Sequence, residues 1–196
     1  MTIKKIYLAT QNKGKAEELK SLIKLPGWDV EGLSLSLDEI QSLDILEVAS
    51  FKMNNALQQA RDKSLTGYVL IDDTSLEIEA LNGLPGTLIK WFLARLSSDQ
   101  ISKLKAINGE SARAICILGL GNIETNQANY FRGETLGLIK PAKLIDTFGW
   151  DDIFYPLGKD SSYAALPKDI KNRISHRQAA ARSLVNHLRS QAEGDN

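Results

Sequence analysis

Two adjacent carboxylates, Asp72 and Asp73, follow directly on the apolar run Tyr68–Ile71. Four consecutive residues of that kind predict a strand buried on both faces. Charge removed from water is costly unless it is paired or metal-bound, so the pair calls for a cation. At the end of a buried strand the two carboxylates would occupy the crevice outside the carboxyl edge of an open α/β sheet, where such sheets bind ligands. Capping of a turn, shared with Thr74 and Ser75, accounts for the pair equally well when it is taken alone. Beyond it, Leu76, Ile78 and Ala80 alternate with Ser75, Glu77 and Glu79 in the period of a half-exposed strand. Asn82-Gly83 and Pro85-Gly86 then supply turn chemistry.

Three further groups carry chemistry. Residues 5–9 read as a short strand that runs into Thr10-Gln-Asn-Lys-Gly-Lys15, ahead of a helix with Ala16, Leu19, Leu22 and Ile23 on one face and Pro26-Gly27 at its end. The first N–H groups of a helix have no partner within it, so this loop is a ready anion site, with Lys13 and Lys15 adding positive charge. It is not a P-loop, because no upstream glycine stands at the required position and Ala16 replaces the Ser or Thr that would hold Mg²⁺. Asn12 is also a good N-cap, which explains it without a ligand. Phe148-Gly-Trp-Asp-Asp152 sets two aromatics around a glycine, suited either to stacking a flat ring or to tucking into a core. Finally, a basic loop at Lys168–Arg173 leads into Ser175-His-Arg-Gln178 and a helix with Ala179, Ala180, Leu184, Val185 and Leu188 inward. Ser175 and Gln178 fit a capping box. His176 and Arg177 put positive charge in a first turn, against the helix dipole, which hints at a ligand.

The elements that must position these groups follow from periodicity. Residues 29–47 are acidic and read as irregular; residues 47–61 read as a helix with Val48, Phe51, Leu57 and Ala60 inward. Lys52, Asn55 and Gln59 form a second stripe at helical spacing, with Lys52 an ordinary solvated lysine on base rates. Leu88, Ile89, Phe92, Leu93 and Leu96 define an amphipathic helix containing Lys90 and Trp91, and a shorter one covers 98–107. Residues 112–120 and 129–139 predict an antiparallel strand pair. The chain has 196 residues, 24 basic against 24 acidic, and 43% hydrophobic content. That suffices for a single core-forming domain over 1–196, and it lacks the basic excess of a general nucleic-acid or membrane-surface binder. The single Cys116 lies in an apolar run and can form no internal disulfide or zinc cluster. With no signal core and no membrane-length segment, the reading is a cytoplasmic protein.

Four segments in order resemble the inosine triphosphate pyrophosphatase family: Leu8-Ala-Thr-Gln-Asn-Lys-Gly-Lys15; Asp72-Asp-Thr-Ser-Leu76 with Asn82-Gly-Leu-Pro-Gly86; Phe148-Gly-Trp-Asp151; and Ser175-His-Arg177. The resemblance implies an elongated α/β fold, with a long mixed twisted β-sheet flooring a cleft between two α/β lobes and no separable linker. It implies hydrolysis of ITP, dITP and XTP to the monophosphate and pyrophosphate, with Mg²⁺, in a homodimer. By motif position Asp73 would be the general base or metal-bound carboxylate, with Asp72 beside it and Lys52 in the catalytic group, and Glu39 would add a metal contact. Thr10, Asn12, Lys13, Lys15, Lys52 and Thr74 would hold the phosphates. Phe148, Trp150, Asp151, Lys171, His176 and Arg177 would hold the base. Gln11 stands where the family usually has Gly, and Ala165 replaces a usual Glu. A nucleotide-binding protein of the same fold, with weak or altered base specificity, is the alternative; two metal carboxylates count against it.

Overall fold

The computed structural model describes residues 3–10, 12–143 and 149–194. It is a mixed α/β chain built on a seven-stranded sheet. In chain order the elements are β1 (Lys4–Leu8), α1 (Lys13–Leu22), β2 (Trp28–Gly32), α2 (Ile45–Asp62), β3 (Tyr68–Ile78), β4 (Pro85–Gly86), α3 (Ile89–Leu93), α4 (Ser98–Ser102), β5 (Ser111–Asn122), β6 (Ala128–Ile139), β7 (Phe154–Pro156), α5 (Lys168–Ile174) and α6 (His176–Gly194). The strand order is β2-β1-β3-β5-β6-β7, with β4 paired to β3 off that path. β1 is parallel to β2 and to β3, whereas β3–β4 and β6–β7 are antiparallel, so the sheet is mixed.

The chain divides into two compact units. The first takes the chain up to Asp73, then 116–133, then Arg177 onward. Its core packs Ile6 and Leu8 of β1, Leu70 of β3 and Cys116, Leu118 and Leu120 of β5 against Leu19 of α1 and Ala180, Ala181, Leu184 and Leu188 of α6. Burying each of the larger side chains contributes roughly 1.5–3 kcal/mol. The second unit takes 74–115 and 134–176. Its core gathers Leu76, Ile78, Ile89, Ile101, Ala114, Ile139, Trp150, Phe154 and Tyr163.

Several sequence-based expectations need correction. β3 does not end at the carboxylate pair; it continues to Ile78, which puts Asp72 and Asp73 mid-strand. The acidic stretch after Gly27 begins as the parallel strand β2, in which Trp28 and Val30 alternate with Asp29 and Glu31; the density of charge hides the two-residue period. Its position at the edge of the sheet suits that charge. α1 stops at Leu22, before Pro26, where the Ile23 N–H closes on the Leu19 carbonyl. The stripe expected over 88–96 is helical only at Ile89–Leu93, because Ser97 starts a new helix with a reciprocal capping box to Gln100. The expected basic loop is helix α5, with Ile170 and Ile174 on one face and an Asp169–Arg173 ion pair one turn apart at 3.2 Å. Trp150, read as exposed or buried with equal ease, is 6% exposed and lies in the core of its unit. No described helix is long and apolar enough to cross a membrane.

Candidate active site

Successive side chains of a strand point to opposite faces, and β3 uses this to separate its two carboxylates. Leu70 belongs to the face covered by α1 and α6. Ile71 lies on the face of α2, near Met53 and the α-carbon of Gly119. Asp72 and Asp73 continue the alternation. Asp72 meets residues of α1 and α6, and Asp73 meets α2.

Asp72 is enclosed by cations. Its Oδ2 accepts Arg177 Nε at 2.6 Å and its Oδ1 lies 2.5 Å from Lys15 Nζ. The Cys116 thiol donates to Oδ2 at 3.8 Å. Arg177 also reaches Glu18 of α1, with Nη1 to Oε2 at 2.7 Å. Burial by itself would raise the Asp72 pKa, but Arg177 and Lys15 together hold it well below the usual carboxylate range. Burial and the Asp72 charge push the Cys116 thiol up, so it stays protonated as a donor. Arg177 is 3% exposed, and its unfavourable place in the first turn of α6 is explained by these two carboxylates. Asp72 is thus an ion-paired anchor of α1 and α6 on the sheet.

Asp73 is different. Lys52 Nζ donates to its Oδ1 at 2.5 Å, and its Oδ2 is buried with no hydrogen-bond partner among the described residues. Burial raises the Asp73 pKa, and the attraction of Lys52 and Lys15 offsets this only in part, with the Asp72 charge adding to the rise. Lys52 sits between two carboxylates, 3.0 Å from Glu39 Oε1 on its other side. Burial disfavours its charge, but Asp73 and Glu39 outweigh that and keep it protonated. Glu39 lies in the irregular segment 33–44, which Gln59 ties down by donating to the Ser36 carbonyl at 2.6 Å. At the start of α1, the Asn12 side chain accepts the Lys15 N–H at 3.1 Å, and Thr10 Oγ1 accepts the Asn12 N–H at 3.2 Å. Lys13 and Gly14, the first two residues of the helix, keep N–H groups that no helix supplies with partners.

The second unit holds its own cluster. The His176 ring stacks on Tyr163 at 5.9 Å between centroids and packs against Trp150 at 5.4 Å. Asp151 pairs with Lys171, whose Nζ also lies 5.6 Å from the Tyr163 ring centroid. The outcome is a buried aromatic cluster beside the Asp151–Lys171 ion pair.

The Ham1 family model matches residues 6–187. The inosine triphosphate pyrophosphatase of Candida glabrata is 35% identical over 181 residues, covering 89% of this chain and 92% of that protein. That of Scheffersomyces stipitis is 35% identical over 95% of this chain and 98% of its own length. This chain belongs to the Ham1 family. Solved structures agree: a HAM1 protein from Coxiella burnetii superposes with a TM-score of 0.76 at 28% identity, over 95% of this chain and 99% of that one. The Staphylococcus aureus Ham1 protein gives 0.68 at 27% identity, over 98% and 100%.

Within this Ham1 chain the sequence-derived residues separate. Asp73, Lys52 and Glu39 come together on one face of β3, and Asp72 and Lys15 on the other. Lys13 is exposed, Thr10 and Thr74 are half-buried, and the Thr10 and Asn12 side chains are engaged in shaping the loop. Trp150, Asp151, Lys171 and His176 cluster in the second unit. Arg177, assigned by resemblance to the base, directs its guanidinium to Asp72 and Glu18. Phe148 lies outside the described residues. Sequence reasoning missed Glu18, although an acid one turn from Lys15, beside the apolar stripe of α1, signals a buried cation partner. It also missed Gln59 as the tie that holds the Glu39 segment.

Proposed function

We propose that this chain is a hydrolase of acid anhydrides that converts deaminated purine nucleoside triphosphates (ITP, dITP and XTP) to the monophosphate and pyrophosphate. The observation that carries the reading is Asp73: a buried carboxylate with one oxygen held by Lys52 and the other without a partner among the described residues. Membership of the Ham1 family and the two pyrophosphatase relatives support it.

A divalent cation fits the residues present. Mg²⁺ prefers hard oxygen ligands and keeps several waters and substrate phosphates in its shell, so it needs only one or two protein carboxylates. Asp73, with its unbonded oxygen, and Glu39 would hold it; the described residues contain no richer group of His, Cys, Asp and Glu that could. Bound there, the ion supplies charge neutralisation on the phosphate and a lowered water pKa. Asp73 is the carboxylate placed to take the proton of the attacking water beside the ion. Lys52 and Lys15, with the first N–H groups of α1, neutralise charge on the leaving pyrophosphate. Trp150, Asp151, Lys171 and His176 read the base. A purine with oxygen at position 6 offers an acceptor to the Lys171 ammonium, whereas adenine offers an amino group. Sites built to bond a polar group reject analogues lacking it by up to about 10⁴–10⁵-fold.

The test is a nucleoside triphosphate panel with Mg²⁺ and separate detection of phosphate and pyrophosphate, run in ¹⁸O-labelled water. Pyrophosphate release with label in the monophosphate, and kcat/KM far higher for ITP and XTP than for ATP, is the expected result. Release of single phosphates, or equal turnover of ATP and ITP, would overturn it. A homodimer and a cytoplasmic location belong to the same proposal; sedimentation velocity measures the first and cell fractionation the second.

A further inference from the structure

One buried charge in the second unit has no part in the chemistry above. Asp152 is 2% exposed. Its Oδ2 accepts the Ser98 hydroxyl at 2.6 Å, and its Oδ1 is buried with no hydrogen-bond partner among the described residues. A half-bonded buried carboxylate is a poor choice for stability, since each unmet polar atom carries its desolvation cost into the fold. What Asp152 gains is location. It directly follows Trp150 and Asp151, in a turn that begins at Gly149 with φ +61°, where the backbone is least constrained by side-chain sterics. The turn is closed by Ile153 N–H to the Trp150 carbonyl at 3.2 Å and by Ala164 N–H to the Asp151 carbonyl at 2.9 Å. Residue 152 is tied in addition by its side chain, through Ser98 at the start of α4. That helix start is itself locked by the Ser97–Gln100 capping box, so Ser98 is a rigid point of attachment.

We propose that the Ser98–Asp152 hydrogen bond positions the Trp150–Asp151 turn for reading the base, which makes Ser98 and Asp152 specificity-determining positioning residues. The proposal rests on the assignment of Trp150, Asp151 and Lys171 to the base. A charge-assisted hydrogen bond is short and directional, so it removes the freedom that Gly149 introduces. Released, the turn loses its tether to α4, and the Asp151–Lys171 pair loses its aim at the edge of the purine. The phosphate-handling residues belong to the first unit and keep their own contacts. Loss of the bond therefore acts on binding and base choice more than on turnover.

The experiment compares Ser98→Ala, Ser98→Thr, Asp152→Ala and the Ser98→Ala/Asp152→Ala double variant with wild type. Values of kcat and KM are measured for ITP and ATP, together with Tm. Misplacement of positioning groups costs up to about a hundredfold in other enzymes, so Ser98→Ala and Asp152→Ala are expected to lower the ITP-to-ATP ratio of kcat/KM by about ten- to a hundredfold, mainly through KM for ITP. Ser98→Thr, which keeps the hydroxyl, retains the wild-type ratio, and the double variant loses no more than either single one. If Asp152→Ala does not fold, Ser98→Ala, which deletes one half-buried hydroxyl, decides alone. A folded Ser98→Ala with the wild-type ratio, even at a lower Tm, overturns the positioning role and leaves the base assignment standing. A wild-type ratio near one overturns both.

Discussion

Asp72 and Asp73 are the same residue one position apart, and their surroundings give them opposite properties. Asp72 has no exposed side-chain surface and meets Arg177 and Lys15, so its charge is compensated and its removal leaves Arg177 buried with Glu18 alone. Breaking a buried pair by deleting one partner costs about 3–5 kcal/mol, so Asp72→Asn is expected to lower the urea midpoint sharply. Asp73 is the converse. Its Asn variant keeps the shape of the side chain, relieves a buried charge and leaves Lys52 its second partner, Glu39. Asp73→Asn is expected to fold with a urea midpoint at or above that of the wild type, and to lose activity by about 10²–10⁴-fold. Turnover of purified Asp73→Asn within a few-fold of wild type would remove Asp73 from the chemistry. An Asp72→Asn midpoint equal to wild type would do the same for the anchor.

At the scale of elements, the site depends on how closely α2 approaches the sheet. A Cβ on Gly121 would lie 2.5 Å from Met53 Sδ and 3.0 Å from both methyl carbons of Leu57; at Gly119 it would lie 2.9 Å from Ile71. These two glycines of β5 let α2 lie low enough for Lys52, next to Met53, to reach Asp73. Gly121→Val is expected to cost about 1–3 kcal/mol by overpacking and to reduce kcat by lifting Lys52 from Asp73. Normal kcat in a destabilised Gly121→Val would separate packing from catalysis. Such dependence explains what was legible beforehand. The strand period, the Asn12 cap and the apolar faces of α1 and α6 are local patterns, and sequence shows local patterns; on α2, Phe51, read as inward, is 41% exposed. The Lys52–Glu39, Arg177–Glu18 and Ser98–Asp152 pairs join residues 13, 159 and 54 positions apart, and nothing in either partner's own segment announces the other. Neither Asp72 nor Glu18 is legible from the segment around Arg177 for this reason. A cation at a helix start correctly signalled a counter-charge, but the counter-charge came from the protein itself.

For the molecule as a whole, the two carboxylates act on acid stability with opposite sign. The pKa of Asp72 is lower in the fold than in the unfolded chain, so the unfolded state binds more protons below about pH 4 and stability falls as pH drops there. The pKa of Asp73 is raised in the fold, so its contribution is full below the ordinary carboxylate range and is lost as pH rises through the raised value. Urea midpoints measured from about pH 2.5 to 8 are therefore expected to fall steeply on the acid side in wild type. The acid limb should be shallower in Asp72→Asn, and Asp73→Asn should gain over wild type toward neutral pH. An acid limb of unchanged slope in Asp72→Asn would show that other carboxylates govern it.

The separation of Asp72 from Asp73 by the two faces of β3 also restricts how this gene can change length. Adding or removing one residue between Tyr68 and Asp72 inverts the phase of every side chain after it, sending Asp72 toward α2 and Asp73 toward α6. Substitution in that stretch alters degree, whereas a single-codon insertion alters sidedness, and no compensating substitution nearby restores it. The segment from Tyr68 to Asp73 behaves as a fixed reading frame written in protein rather than in nucleic acid.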